Sequence, residues 1–269
     1  MKKLSTDDLL TETDQLLEWI QRGGATTRFI TQREVRQDYT LFVNQFIESA
    51  HQKGFVVSRY SVPEKNSFYK VEDLYAQLTA QLDPPDFLHK WVTRATREEK
   101  TNLIQNFSVM NLEFGYALYN FIELFDSDEK AVEGCWNYIC GRRVSAPVKR
   151  SLNLVGGVKK ENVENYFICL NRLIQACGKA GWVIVVENVE NIANARTETM
   201  RNEAYNNLRQ FLDLQASNKL KKSFFLFFAQ DPNFVFASIH EYKALAERIY
   251  PESDLNSTYV DLRSVIWVL

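Results

Sequence analysis

The chain has 269 residues, of which 45% are hydrophobic and 25% are charged. This balance is typical of a folded soluble protein and excludes a disordered chain, a collagen-like repeat and a disulfide-rich miniprotein. The net charge is −2 and the pI is about 6.0, so the whole molecule carries no positive field that would favour nucleic acid. The length suits one large α/β domain, or one domain with an inserted subdomain.

The chain contains four cysteines and three histidines, and their spacing fits neither a zinc site nor a secreted disulfide framework. We therefore expect reduced, mostly buried thiols in a cytoplasmic protein. The first residues are too polar for a signal peptide. The longest apolar runs, 182–186 and 224–229, are too short to span a membrane, so no membrane partner is expected.

Apolar spacing predicts a first helix that Thr6 or Asp7 caps and that Gly23-Gly24 ends. A β-prone run at 26–31, an amphipathic stretch at 39–51 and a second β-prone run at 55–60 follow. This order is that of a βαβ unit, which favours a parallel sheet.

Pro84-Pro85 and Pro147 bracket a stretch without strand signals. We predict helices at about 100–125 and 128–140 within it. We interpret 86–150 as a helical insertion within a single domain of residues 1–269.

The α/β pattern returns after residue 159. Helices are predicted at 162–178, 199–217 and 239–249, and strands at 181–186, 223–228 and 258–262. The first two of these strands are almost entirely apolar, as expected of strands that are buried on both faces. The sequence thus predicts a three-layer α/β fold with a central, mostly parallel sheet of about five strands.

Two places in this pattern correspond to the phosphate site of a nucleotide-binding fold. One is the turn after the strand at 28–31, where a P-loop has two glycines, a lysine and a hydroxyl that hold phosphate and Mg²⁺. The other is the end of the strand at 182–186, where a Walker B motif has Asp-Glu to support Mg²⁺ and orient the attacking water.

Several motifs, in order, resemble the BREX-type phage-defence ATP-binding proteins, a family of P-loop, AAA-like ATPases. The motifs are Arg28-Phe29-Ile30, Gly54-Phe55-Val56-Val57, residues 68–75, 136–141 and 181–191, then Arg201, Ala204, Tyr205, Leu208 and Arg209, and finally residues 242–248. The resemblance implies a P-loop NTPase-like (AAA-like) fold for most of the chain.

The catalytic positions of that family are altered in this sequence. In the P-loop window the glycine positions hold Gln32 and Gln37, the lysine position holds Asp38, and the hydroxyl is that of Tyr39. Asp38 would place a negative charge where triphosphate needs a positive one. At the Walker B position the chain has Glu187 and Asn188, and an asparagine cannot act as a base.

These departures favour a pseudo-ATPase: a defence subunit with no catalytic residue and no bound cofactor that serves as a protein-binding scaffold or regulator. Its expected partners are other subunits of a defence complex, such as an active ATPase or nuclease, in a hetero- or homo-oligomer. Arg201, Arg209 and Arg248 are candidate arginine fingers for a neighbour's nucleotide site, although helix arginines are more often solvated or paired on the surface.

Two alternatives remain open at this point. One is an active ATPase that uses ATP and Mg²⁺ with a non-standard phosphate loop and Glu187. The other is a DNA-sensing module that uses Lys219, Lys221 and Lys222, although the low pI favours a solvated face. The aromatic-rich stripe from Phe107 to Phe125 is interpreted as subdomain core, with part of it as a candidate protein-binding surface.

Overall fold

The computed structural model describes residues 2–3, 5–31, 39–65, 68–82, 85–249 and 264–268. The chain divides into two compact units. Unit 1 contains Met1–Lys70 and Ala180–Leu269, and unit 2 contains Val71–Lys179. The predicted helical stretch 86–150 therefore belongs to a unit that begins earlier and ends later in the chain.

Unit 1 is built on a six-stranded sheet in the described residues, and every pairing within it is parallel. The strands are β1 (Lys2–Lys3), β2 (Ala25–Thr31), β3 (Val56–Ser61), β4 (Trp182–Glu187), β5 (Ser223–Ala229) and β6 (Ser264–Val268). Their order across the sheet is β1-β6-β2-β5-β4-β3. The parallel sheet is as predicted, but β2 and β3 are not neighbours, because β5 and β4 lie between them.

The neighbouring strands β4 and β5 are buried along their whole length, which explains their continuous apolar sequence. Alternation directs Phe224, Leu226 and Phe228 of β5 into the core on one face. On the opposite face, the ring of Phe225 lies 5.4 Å from that of Phe211. The sheet therefore needs helices on both sides.

One face of the sheet is covered by α1 (Thr6–Gln21) and α2 (Thr40–Gln52). Leu17 of α1 and Phe46 of α2 are fully buried in this core. Ser5 caps α1 in a reciprocal capping box with Asp8, so the predicted cap at Thr6 or Asp7 is off by one or two residues.

The other face is covered by α10 (Glu198–Ala216). Gln215, near its end, is buried and donates to the Thr26 carbonyl oxygen over 2.9 Å. It also contacts the hydroxyls of Thr27 and Ser223, so the polar side chains at this point of the sheet satisfy one another. The result is the predicted three-layer arrangement.

Two short helices and two 3₁₀ segments complete the described part of unit 1. They are α11 (Pro232–Phe236), α12 (Lys243–Ile249), and the 3₁₀ segments Val189–Asn194 and Ser238–Glu241. The predicted single helix at 239–249 is thus a 3₁₀ turn followed by a shorter α-helix. The predicted strand at 258–262 lies outside the described residues, and β6 follows it in the chain.

The described residues of unit 2 form helices joined by turns and loops, with no strand. Its helices are α3 (Val71–Ala80), α4 (Asp86–Arg94), α5 (Arg97–Met110), α6 (Leu112–Glu123), α7 (Glu129–Ile139), α8 (Ala146–Ser151) and α9 (Val163–Ala176). The helix predicted at 100–125 is two helices, because Asn111 leaves the helical conformation and caps α6.

The core of unit 2 is an aromatic cluster made of Tyr75, Phe107, Phe114, Tyr166 and Phe167. Phe114 is fully buried, with its ring 5.3 Å from that of Phe107 and 5.8 Å from that of Tyr166. The Tyr75 ring meets Phe167 edge-on at 4.8 Å, and its hydroxyl donates to the Ile139 carbonyl oxygen. Edge-on and offset rings of this kind add to the stabilisation that burial provides.

Candidate functional site

The carboxyl ends of β4 and β5 bring together the residues that follow each strand. Asn188 follows β4, Gln230 follows β5, and these two strands are neighbours. Tyr39 precedes α2 and reaches the same place. Ligands of open parallel sheets bind outside the carboxyl ends of the strands, so this edge is the candidate site.

Three neutral side chains form a closed set of hydrogen bonds here, which we call the amide network (Tyr39, Asn188 and Gln230). Gln230 Nε2 donates to Asn188 Oδ1 over 2.8 Å and to the Tyr39 hydroxyl oxygen over 3.0 Å. The Tyr39 hydroxyl donates in turn to Asn188 Oδ1 over 3.4 Å. Each of the three side chains is therefore hydrogen-bonded to both of the others.

The amide of Asn188 is held from its other end as well. Asn188 Nδ2 donates to Ser61 Oγ, at the end of β3, over 2.7 Å. The Asn188 backbone is left-handed, with φ 54°, a conformation that asparagine tolerates better than most residues. The chain thus turns sharply at Asn188, and the side-chain bonds determine where its amide points.

Glu187, the last residue of β4, is neutralised by an arginine from the neighbouring strand. Arg59 Nε and a terminal nitrogen of Arg59 donate to the two carboxylate oxygens over 2.5 and 2.9 Å. Arg59 also donates to Asn44 Oδ1 over 3.1 Å. The hydrogen bond to Glu187 raises the pKa of Arg59 despite partial burial.

Both oxygens of Glu187 are therefore occupied by a cation, and this decides what the carboxylate can bind. A Mg²⁺ ion at this carboxylate would be held beside the positive guanidinium of Arg59. Asn188, the next residue, offers no charge. In this arrangement the Glu187 carboxylate is already paired with a cation, and Mg²⁺ would compete with Arg59 for its oxygens.

A second carboxylate, Glu190, lies in the turn after β4. Its Oε2 accepts a hydrogen bond from the Gln230 backbone N–H over 3.2 Å. Burial raises the pKa of Glu190, and nearby Asp231 raises it further, while hydrogen bonds from the backbone lower it. Among the described residues, Glu190 forms no ion pair with a guanidinium, in contrast to Glu187.

Tyr39 is fixed by stacking as well as by the amide network. Its ring is stacked on that of Phe228, with 5.1 Å between the centroids. Burial raises the pKa of the Tyr39 hydroxyl, and the charges of Glu187 and Glu190 raise it further. The phenol therefore stays neutral and acts as a hydrogen-bonding group.

The structure describes only part of the window 32–39 that the sequence analysis aligns with a P-loop. Tyr39 lies in the amide network, whereas Gln32, Gln37 and Asp38 lie outside the described residues. The Walker B positions, Glu187 and Asn188, are at the end of a central strand, as the sequence predicts.

The three candidate arginine fingers have partners within unit 1. Arg209 donates to one carboxylate oxygen of Asp213 over 2.5 Å, and Arg248 Nε donates to the other over 2.7 Å. Arg201 donates to the Ala195 carbonyl oxygen over 3.4 Å. Asp213 thus joins Arg209 on α10 to Arg248 on α12.

The basic residues Lys219, Lys221 and Lys222 lie in the turn that precedes β5, at the end of the sheet opposite the amide network. Lys219 and Lys221 are exposed. The Lys222 carbonyl oxygen accepts from the Trp182 N–H, and the Lys222 backbone is left-handed with φ 57°. Lys222 therefore helps to connect β5 to β4.

The cysteines do not form a metal site. All four are free thiols, and Cys135, Cys140 and Cys169 are buried. Burial raises the pKa of Cys177, the least buried of them, to about 12. Among the described residues, no cluster of histidine, cysteine and carboxylate side chains is arranged to hold a metal ion.

The part of the chain that the structure describes also contains no helix of the length and apolarity that a membrane span requires.

The three-layer fold with its parallel sheet and this edge place the chain in the class of P-loop NTPase-like α/β proteins. The chain belongs to the family described as BREX system ATP-binding protein BrxC/D, whose model matches residues 88–269, about two thirds of the sequence. The window 32–39, which the sequence analysis aligns with a P-loop, lies before the matched region. Neither a curated protein nor a solved structure was found to match the chain.

Sequence reasoning identified Glu187 and Asn188 but missed Arg59 and Ser61, which hold them. A signal for Arg59 is present: it is a cation inside the apolar run Gly54–Tyr60, on the same strand face as Val57. Such a residue needs a buried partner, and the neighbouring strand supplies Glu187.

Proposed function

We propose that this chain is a subunit of a prokaryotic BREX-type anti-phage defence system that does not hydrolyse ATP. It acts by binding other protein subunits as a scaffold or regulator. Family membership supports the defence role, since the family is described as BREX system ATP-binding proteins. The loss of catalysis is supported by the candidate site itself.

One observation carries the proposal. Asn188 stands at the strand end where the family resemblance implies a water-orienting glutamate, and its amide is engaged by Gln230, Tyr39 and Ser61. An amide has no basic site for a proton at neutral pH. The preceding carboxylate, Glu187, is paired with Arg59. The two residues that would support Mg²⁺ and activate water are thus bound to other protein groups.

The first test is calorimetry of the isolated chain with ATP and with ADP in the presence of Mg²⁺. We expect no binding heat, and no phosphate release above that of a buffer blank. Glu187→Ala and Asn188→Ala should leave any trace activity unchanged, which identifies it as contamination. Saturable binding, with hydrolysis that Glu187→Ala abolishes, would overturn the proposal.

A second candidate function has one observation in its favour. Glu190 is partly buried at the same edge, its pKa is raised, and a raised carboxylate pKa is a property of general bases. An ATPase with a non-standard phosphate loop could use Glu190. In that case Glu190→Gln should abolish phosphate release, whereas Glu187→Gln should leave part of it.

The proposed interface role of Arg201, Arg209 and Arg248 is tested separately. An arginine that completes a neighbour's nucleotide site stabilises transition-state charge there. Arg209 and Arg248 would have to leave Asp213 to do so. We expect Arg209→Ala to lower the ATPase rate of a mixed complex at least tenfold. Asp213→Asn, which releases both arginines, should not lower it.

A further inference from the structure

An open apolar groove lies between α5 and α9 of unit 2, well away in the chain from the residues of the candidate site. Its volume is about 420 Å³, and it is lined by Leu103, Asn106, Phe107, Val109, Met110, Arg172 and Ala176. Leu103 and Phe107 are buried, while Val109 is 89% exposed. The groove thus has an apolar floor and an uncovered apolar rim.

The exposed apolar surface extends beyond the groove along the chain. Leu112, three residues after Val109, is 73% exposed. Tyr116 and Tyr119 follow at helical spacing on α6, both partly exposed and stacked on each other with 6.2 Å between ring centroids. Aromatic residues, methionine and arginine are enriched where proteins bind one another. These exposed side chains are of the types that protein-binding surfaces favour.

The groove is too open for a small molecule. Small-molecule pockets bury most of the ligand surface within concave walls. Here Val109, Arg172 and Ala176 on the rim are all exposed, so a small ligand would keep much of its surface in water. A helix laid along the groove would cover the rim and the floor together.

The charge of the residues that line the groove indicates which charge a partner should carry. Among the described residues that line the groove, Arg172 is charged and none is acidic. The guanidinium of Arg172 contacts the Met110 sulfur at 3.1 Å, and no carboxylate of the described residues forms an ion pair with it. In a chain of net charge −2, this groove is locally positive.

We propose that this groove binds an amphipathic α-helix of another protein, with apolar side chains one turn apart over Phe107 and Val109 and a carboxylate paired with Arg172. Met110, which is flexible and polarisable, adapts to the helix's apolar side chains. Binding of a helix at this groove does not depend on whether the chain binds ATP.

The test is a selection of displayed 16-residue helical peptides on the full-length chain, followed by affinity measurements with synthetic copies of the selected peptides. We expect selected sequences with two apolar residues at i and i+4 and an aspartate or glutamate beside them. Val109→Asp should abolish binding, and Arg172→Glu should weaken it at least tenfold. Replacing the peptide carboxylate by arginine should restore most of the affinity for Arg172→Glu.

Lys130→Glu, an equal charge reversal at an exposed position of α7, is the matched control and should change the affinity less than twofold. Circular dichroism verifies that each variant is folded. The proposal is overturned if no peptide is selected above the bare surface, or if binding is equal for wild type and Arg172→Glu. It is also overturned if the chain forms a dimer in solution that Val109→Asp dissociates, because the occupant is then a second copy.

Discussion

The amide network at the carboxyl edge of the sheet and the aromatic cluster of unit 2 hold their parts of the chain in different ways. The network joins polar side chains through bonds of 2.8 to 3.4 Å. The cluster packs rings, such as Phe114 and Tyr75, that water does not reach. A hydrogen bond contributes about 1 kcal/mol net, whereas a buried aromatic ring contributes several times more. Changes at the sheet edge should therefore alter the site while leaving the protein folded.

The largest expected effect is in the aromatic cluster. Phe114→Ala should lower the free energy of unfolding by about 3–5 kcal/mol, because it leaves a cavity between Phe107 and Tyr166. Urea denaturation followed by circular dichroism measures the loss. Tyr119→Ala, on the exposed side of the same helix, is the control and should cost about 0.5 kcal/mol or less. Equal effects for the two variants would contradict the assignment of the core.

The second largest effect is expected at the ion pair between Arg59 and Glu187, at the end of β4. Glu187→Gln should lower the free energy of unfolding by about 1–2 kcal/mol, since it removes a charged acceptor of two hydrogen bonds. The loss is limited because the Arg59 side chain is 38% exposed and water can solvate it. A double-mutant cycle with Arg59→Met measures the coupling.

The surface pair of Lys53 and Glu18 in unit 1 is the matched control. Its atoms are 3.4 Å apart, and the Glu18 side chain is 56% exposed. Glu18→Gln should cost about 0.5 kcal/mol or less. If both pairs gave the same coupling energy, Glu187 would be no more firmly held than a surface residue.

A smaller effect is expected within the amide network. Gln230→Ala should lower the free energy of unfolding by about 1 kcal/mol, because Tyr39 and Asn188 both lose a donor. Combined with Tyr39→Phe, the losses should be less than additive, because the two residues share one network. Strict additivity in thermal or urea denaturation would show that the two side chains act independently.

The smallest effect is a pH dependence at Glu190. Burial raises the pKa of Glu190 in the folded protein above its value in the unfolded chain. The stability that protonated Glu190 contributes is therefore fully present below the pKa of the unfolded chain, and it is lost as the pH rises through the pKa of the folded protein. Glu190→Gln removes this dependence. The unfolding free energy of the variant minus that of wild type should therefore increase from about pH 4 to about pH 7. Glu48→Gln, at an exposed position on α2, is the control. A constant difference at Glu190 would contradict the burial argument.

Much of the fold could be predicted because strong local patterns coincide with the elements. The apolar runs at 181–186 and 223–228 became β4 and β5, since continuous hydrophobicity suits a strand covered on both faces. The cap positions and the break at Asn111 were less predictable, because they depend on single side-chain hydrogen bonds. At the site, Glu187 and Asn188 were predicted from their place after a strand, whereas the partners of each came from distant segments of the chain.

Periodicity and composition are local properties, and they were enough to predict an α/β protein with a buried parallel sheet and a carboxylate-amide pair at a strand end. The tertiary structure alone places β5 and β4 between β2 and β3 and pairs Arg59 with Glu187. It also decided that Tyr39, Asn188 and Gln230 meet, although 191 residues separate the first from the last. Strand order and side-chain pairing depend on contacts between distant segments, which no local pattern encodes.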